Sequence, residues 1–64
     1  MLTPIRYYRL LRGWKAAEVA RRLEISPSYW SRIESGRLKP PLSLRRRIAG
    51  IFQLSQTVLF GVHP

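Results

Sequence analysis

The chain has 64 residues, and a chain of this length buries only about 60% of the surface of its unfolded state, so we expect a single domain over residues 1–64 with one small core. It contains no Cys, no Asp and one His, which excludes disulfide frameworks, thiolate metal sites and the common catalytic pairs, so we expect no enzyme, no cofactor and no metal site. Twelve Lys and Arg against three acidic residues give a net charge of +9, which favours a negatively charged partner.

Apolar residues recur at helical spacing along the chain, and no run alternates with the period of a strand, so the predicted fold class is all-α. Thr3 followed by Pro4 has the pattern of an N-cap and a first-turn proline, and Gly13 is a stop signal. The first helix is therefore predicted over about 4–12.

The second and third helices are predicted to lie close together along the chain. The second covers about 16–24, and its apolar face consists of Ala16, Val19, Ala20 and Leu23. Ser26 can cap the third helix, Pro27 suits its first position and Gly36 is its stop, which gives a helix of about nine residues. One side of this helix carries Trp30 and Ile33, and the other carries Ser28, Tyr29 and Arg32.

The last third of the chain is predicted to hold a fourth helix over about 41–52 and a short fifth turn capped by Ser55. Its apolar runs, IAGIF and VLFGV, are the longest in the chain and are far shorter than the roughly 20 residues of a membrane span. The N-terminus lacks the apolar core of a signal peptide. We expect a soluble, cytoplasmic protein with no membrane partner.

Two short helices joined by a turn of three or four residues, the second with small polar and basic side chains on its surface, form a helix-turn-helix unit. The stretch AAEVARRLEISPSYWSRIESG resembles the DNA-binding unit of Xre/Cro-like regulators, the family of the lambda repressor and Cro. The likeness extends over most of the chain, through Arg9, Gly13, Val19, Ala20, Ile25, Ser26, Glu34, Gly36, Pro40, Ile48, Ala49 and the stretch from Leu54 to Phe60.

This resemblance implies a five-helix, lambda repressor-like DNA-binding domain with its helix-turn-helix at about 16–35. The implied function is sequence-specific binding of double-stranded DNA by a small transcriptional regulator, a repressor, with the third helix in the major groove. The implied setting is prokaryotic or phage-type, in the cytoplasm and at the nucleoid.

The resemblance also assigns roles to individual residues. The acid before the glycine commonly pairs with an arginine of the first helix, which implies a partly buried, bidentate ion pair between Arg9 and Glu34. The candidate base contacts are Pro27, Ser28, Tyr29 and Arg32. Arg32 can bind guanine O6 and N7 with two hydrogen bonds, although a phosphate contact or a solvated charge remains an alternative. Pro27 has no side-chain hydrogen bond to offer.

Contacts to the sugar-phosphate backbone are predicted for four residues at helix starts and in the loop after the third helix. They are Lys15, Ser26, Arg37 and Lys39. The run Arg45 to Arg47 spans about 200° of a helix, so its three side chains cannot share one face, and a solvated surface is its simplest interpretation.

A nine-residue recognition helix reads only about four base pairs, so a second copy is needed for specificity. We expect a weak C2 homodimer through an apolar C-terminal cluster, with the closing of the core as the alternative role of this cluster. The cluster consists of Val58, Leu59, Phe60 and Val62.

The sequence departs from the family pattern at several places, among them Arg45, which stands where the family usually has an apolar residue. Lys15 and Ala16 replace the usual Ser or Thr followed by Gln, and Glu24 stands where the turn often has a glycine with positive φ. Leu10 and Leu11 are apolar where the family is usually polar, so they provide either extra packing or a surface for a protein partner.

Two other functional classes fit the composition. The first is non-specific binding of nucleic acid by an architectural basic domain, which would show little preference for any DNA sequence. The second is a protein-interaction module such as an antitoxin, or a cationic helix bundle that acts on membranes, and partner binding that is insensitive to salt would indicate it.

Overall fold

The computed structural model describes residues 2–61, and within them the chain forms five helices and no strand. The helices are α1 (Pro4–Leu11), α2 (Ala16–Leu23), α3 (Pro27–Glu34), α4 (Leu42–Phe52) and α5 (Gln56–Phe60). The predicted all-α architecture of five helices is confirmed for this part of the chain. None of these helices is long and apolar enough to cross a membrane.

Three helices begin at a hydroxyl cap. Thr3, Ser26 and Ser55 each accept a hydrogen bond from the backbone N–H three residues further on, at 3.2, 3.1 and 3.2 Å. Proline occupies the first position of α1 and α3, where no N–H is required. These local signals explain why the starts of these helices could be predicted from the sequence.

The ends of α1 to α4 share one geometry. In each, a residue with positive φ follows the helix, and the next N–H bonds to the carbonyl five residues back at 2.9 to 3.1 Å. The positive-φ residue is Gly13 after α1 and Gly36 after α3, but it is Glu24 (φ 58°) after α2 and Gln53 (φ 56°) after α4. Side chains with a Cβ pay a conformational penalty there that glycine avoids.

Replacing Glu24 with Gly should therefore raise the free energy of unfolding by about 0.5 kcal/mol, the difference between the relief of left-handed strain and the extra chain entropy of glycine. The reverse change, Gly13→Ala, should lower the free energy of unfolding by about 1 kcal/mol, since no atom lies within 4 Å of the added Cβ and only the φ of 72° opposes it. Urea denaturation measures both changes. A loss of stability in Glu24→Gly would contradict the strain at this turn.

The core lies between all five helices. Its buried apolar side chains are Ile5, Val19, Ala20, Leu23, Trp30, Ile33, Leu44, Ile48, Phe52 and Leu59. Ala20 of α2 and the side chains of Trp30 and Ile33 of α3 are buried together in this core. The outer side of α3 is thereby held away from the core.

Two arginines cap the ends of helices that are remote in sequence. Arg12 Nη2 donates to the carbonyl of Phe52 at the end of α4 at 2.6 Å, and its guanidinium lies 5.3 to 5.8 Å from the ring centroids of Tyr8, Trp14 and Phe52. Arg47 Nη2 donates to the carbonyl of Leu23 at the end of α2 at 2.7 Å. A cation at a helix C-terminus is favoured by the carbonyls and the dipole there.

The run Arg45 to Arg47 is divided by the helix, as its spacing predicted. Arg47 forms the cap on α2, Arg46 is exposed and Arg45 is partly buried. The interpretation of the run as a purely solvated surface is therefore wrong for Arg47.

Candidate nucleic-acid interface

The outer face of α3 is polar. Four residues are exposed on this face: Ser28, Ser31, Arg32 and Ser35. Ser31 and Arg32 lie three and four residues after Ser28, and Ser35 lies four and three residues after them, so the four form one row along the helix surface and its C-terminal end. The predicted contacts Ser28 and Arg32 belong to this row. Ser31 and Ser35 were not predicted, although the same spacing in the sequence could have identified them.

The other two predicted base contacts lie at the margins of this row. Pro27 is exposed at the first turn of α3, and Tyr29 is half-buried against the core. The opposite side of α3 buries Trp30, Ile33 and Glu34, which leaves the polar row facing outward.

Arg9 and Glu34 form an ion pair between α1 and the last residue of α3. Arg9 Nε and Nη2 lie 2.8 and 2.6 Å from the same oxygen, Glu34 Oε1. Both donors converge on one oxygen, in place of the two-oxygen fork that the resemblance implied. Glu34 is 6% exposed, so this acid is neutralised inside the structure and does not repel an anion at the outer face of α3.

Arg9 and Glu34 also make hydrogen bonds to two further segments. Arg9 Nη1 donates to the carbonyl of Trp14 at 2.8 Å, and Thr3 Oγ1 donates to the carbonyl of Glu34 at 2.5 Å. The turn after α1 is thus held by the side chain of Arg9, and the N-cap of α1 is held by the backbone carbonyl of Glu34 at the end of α3. The position of α3 depends on these hydrogen bonds.

The predicted phosphate contacts lie at the starts of α2 and α3 and in the loop after α3. Lys15 is exposed at the start of α2, and Ser26 caps α3 through its oxygen and lies 3.4 Å from the hydroxyl of Ser28. In the loop after α3, Arg37 and Lys39 are exposed, whereas Leu38 is partly buried and Pro40 is buried. This alternation anchors the loop and turns its two cations towards solvent.

Four of the predicted contacts are cations that form no ion pair within the described residues. They are Lys15, Arg32, Arg37 and Lys39. Within residues 2–61 none of them has an ion-pair or hydrogen-bond partner for its charged group, in contrast to Arg9, Arg12 and Arg47. Four uncompensated cations next to a polar helix face give an electrostatic surface suited to a polyanion.

Comparison with known families agrees with this geometry. The sequence model of a family described as a helix-turn-helix domain matches residues 5–59, from α1 to the buried Leu59 of α5. The chain belongs to the helix-turn-helix domain family. No curated protein and no solved structure matches the chain. In this helix-turn-helix domain, α2 and α3 are the paired helices, and the family indicates DNA as the partner.

The prediction that the C-terminal cluster forms a dimer contact is wrong for Leu59. Leu59 is 1% exposed and belongs to the core, so it is not available to a second copy. Val58 is 41% exposed and Phe60 is partly buried. Val62 lies outside the described residues. Leu59 closes the core, which was the alternative role of the cluster, whereas Val58 does not.

The outer face of α1 gives the helix-turn-helix domain an apolar surface. Tyr7, Leu10 and Leu11 are 47%, 54% and 66% exposed, and they are neighbours at spacings of three and four residues. We call them the α1 apolar face. The alternative that Leu10 and Leu11 provide extra internal packing is wrong, because both side chains point to solvent.

Proposed function

We propose that this helix-turn-helix domain binds double-stranded DNA sequence-specifically, as a small transcriptional repressor whose α3 lies in the major groove. The observation that carries the proposal is the exposed row of α3, in which the guanidinium of Arg32 has no partner within the described residues and lies among three exposed serines beside the turn of the helix-turn-helix. The resemblance to Xre/Cro-like regulators supports the narrower assignment. It also favours a prokaryotic or phage-type setting at the nucleoid.

In the proposed complex, Arg32 reads guanine through O6 and N7, and Ser28 donates to or accepts from a base edge. Tyr29 contacts a thymine methyl group or a phosphate with the part of its ring that is exposed. Pro27 adds only an apolar contact, because its side chain has no donor or acceptor.

Most of the binding energy in this proposal comes from phosphate contacts by Lys15, Ser26, Arg37 and Lys39, which carry no sequence preference. Titration of a fluorescent random-sequence duplex pool at several salt concentrations tests DNA binding itself. With three cations on phosphates, we expect the logarithm of the binding constant to fall with the logarithm of salt with a slope of about −3. An absence of binding at low salt would overturn the proposal.

We further propose that two copies bind DNA as a weak C2 dimer, since one α3 covers too few base pairs for a unique site. Val58 remains a candidate for this contact, because its side chain is exposed to solvent. Repulsion between two chains of net charge +9 weakens the dimer in solution, and DNA phosphates relieve it.

The dimer predicts a pseudo-palindromic operator with half-site centres about 34 Å apart. Footprinting on such a site should show two protected half-sites, and Val58→Asp should reduce the protection to one. A wild-type domain that stays monomeric in sedimentation at high concentration and protects a single half-site would contradict the dimer.

The α1 apolar face favours a second candidate function, the binding of a protein partner. The partner proposed is an acidic amphipathic helix, because Arg6 borders the face on the same helix and the whole chain is strongly cationic, which disfavours a second copy there. A synthetic Leu/Glu amphipathic peptide is a suitable probe. It should bind the wild type and a Leu42→Gln control alike, and binding should be lost in Leu10→Gln/Leu11→Gln. Equal binding by both variants would contradict the candidate.

A further inference from the structure

An apolar groove is formed by the start of α1, the end of α3 with the loop after it, and the end of α5. We call it the α1–α5 groove. Its volume is about 320 Å³, which is within the range of small-molecule pockets. The roles assigned so far do not use this space. Its walls are mainly apolar and include Ile5, Ile33, Leu38, Pro40, Leu59 and Phe60.

Most polar groups in the walls of the groove are bonded within the fold. The backbone N–H groups of Gly36, Leu38 and Gly61 donate to carbonyls at 3.1, 3.1 and 2.8 Å. The hydroxyl of Thr3 donates to the carbonyl of Glu34 and accepts from a backbone N–H of α1. These groups have little hydrogen bonding left for a ligand, so the walls favour an apolar ligand over a sugar or a nucleotide.

Lys39 is the one charged residue among the described residues that line the groove. It is exposed, and its ammonium has no partner within residues 2–61. A lysine in this setting covers apolar wall with its alkyl stem and keeps its ammonium in water at the mouth. An apolar groove with one cation at its mouth is complementary to a ligand that has an apolar body and one negative charge.

We propose that the α1–α5 groove binds a small apolar carboxylate, a medium-chain fatty acid, with the alkyl chain against the apolar walls and the carboxylate beside Lys39. Lys39 is also one of the proposed phosphate contacts, and a bound carboxylate neutralises it. The ligand therefore weakens DNA binding. This effect on DNA rests on the proposed function, whereas the ligand site does not.

Titration with octanoate, followed through the backbone amides by NMR, tests the site. We expect saturable shifts at Leu38, Lys39 and Gly61, and about fivefold weaker binding of octanol, which lacks the charge. Lys39→Met, which keeps an unbranched stem, should lower the affinity for octanoate to that for octanol. Arg37→Ala is the matched control, because Arg37 is an exposed cation of the same loop that does not line the groove, and it should change octanoate binding by less than about twofold.

An absence of saturable shifts with octanoate, or equal binding of octanoate and octanol by the wild type, would overturn the ligand site. Equal losses in Lys39→Met and Arg37→Ala would also overturn it. If the same amides shifted on raising the protein concentration while sedimentation showed a dimer, the groove would belong to a second copy and the proposal would fail.

The effect on DNA is measured with a random-sequence duplex at several salt concentrations, with and without saturating octanoate. We expect octanoate to weaken binding by the wild type and to make the salt slope smaller in magnitude by about one, and to leave the slope of Lys39→Met unchanged. Saturable octanoate binding with unchanged affinity for DNA would overturn the regulation and leave the ligand site standing. If the wild type bound no duplex, the proposed function would fail together with the regulation, and the octanoate titration would still decide the site.

Discussion

Replacing Glu34 with Ala should lower the free energy of unfolding by about 3 kcal/mol, because it leaves the nearly buried guanidinium of Arg9 without its counter-charge. A domain of this size has a total stability of roughly 3–10 kcal/mol, so the change removes a large share of it. We expect the thermal midpoint to fall by about 15 °C. Circular dichroism at 222 nm during a thermal melt measures this shift.

Glu34→Gln provides a milder variant that keeps an acceptor for Arg9 while removing the charge, and we expect a loss of about 1–2 kcal/mol. The matched control is Glu18→Ala. Glu18 pairs with Arg22 at 3.5 Å, but both side chains are well exposed, so we expect a change of at most about 0.5 kcal/mol. Equal midpoints for Glu34→Ala and Glu18→Ala would show that the Arg9–Glu34 pair does not hold α3 in place.

Replacing Arg32 with Ala should weaken binding to the preferred DNA site by about 1–3 kcal/mol and relax the choice of one base pair. The reason is that Arg32 lies in the exposed row of α3 with a guanidinium free to bind a guanine edge. Lys39→Ala should instead weaken binding to all DNA sequences by a similar factor. It should also make the salt slope smaller in magnitude by about one. Competition titrations with the preferred site and its single-base variants measure both effects.

The two substitutions separate base reading from phosphate binding because both side chains are exposed and lack a partner in the described part of the chain. Neither change should alter the thermal midpoint by more than about 2 to 4 °C, since surface substitutions seldom change stability by more than about 0.5 kcal/mol. If Arg32→Ala left the base preference unchanged and altered only the salt slope, Arg32 would be a phosphate contact and not a base reader.

The helix boundaries could be predicted from the sequence to within about one residue wherever a local signal marks them. Thr3 with Pro4, and Ser26 with Pro27, fix the starts of α1 and α3, and glycines follow both helices. Gln53 has no such signal. Its left-handed conformation, with φ of 56°, is not predicted by residue type alone.

Interactions between remote helices were harder to predict. The positions of Arg9 and Glu34 were inferred from a family resemblance, whereas the caps by Arg12 and Arg47 carry no sequence signal, because a guanidinium and a carbonyl 40 and 24 residues apart meet only in the folded chain. Leu59 was misassigned for a related reason. A helix of five residues is too short for its periodicity to show which side faces the core.

Sequencing of the duplexes that the wild-type domain selects from a random DNA pool tests the central proposal, the reading of DNA sequence by α3, most directly. We predict enrichment of a short motif repeated as a pseudo-palindrome with half-site centres about 34 Å apart, and loss of one preferred base pair when the selection is repeated with Arg32→Ala. A pool that binds with the expected salt dependence but shows no enriched sequence would contradict sequence-specific binding and assign the domain to non-specific binding of nucleic acid.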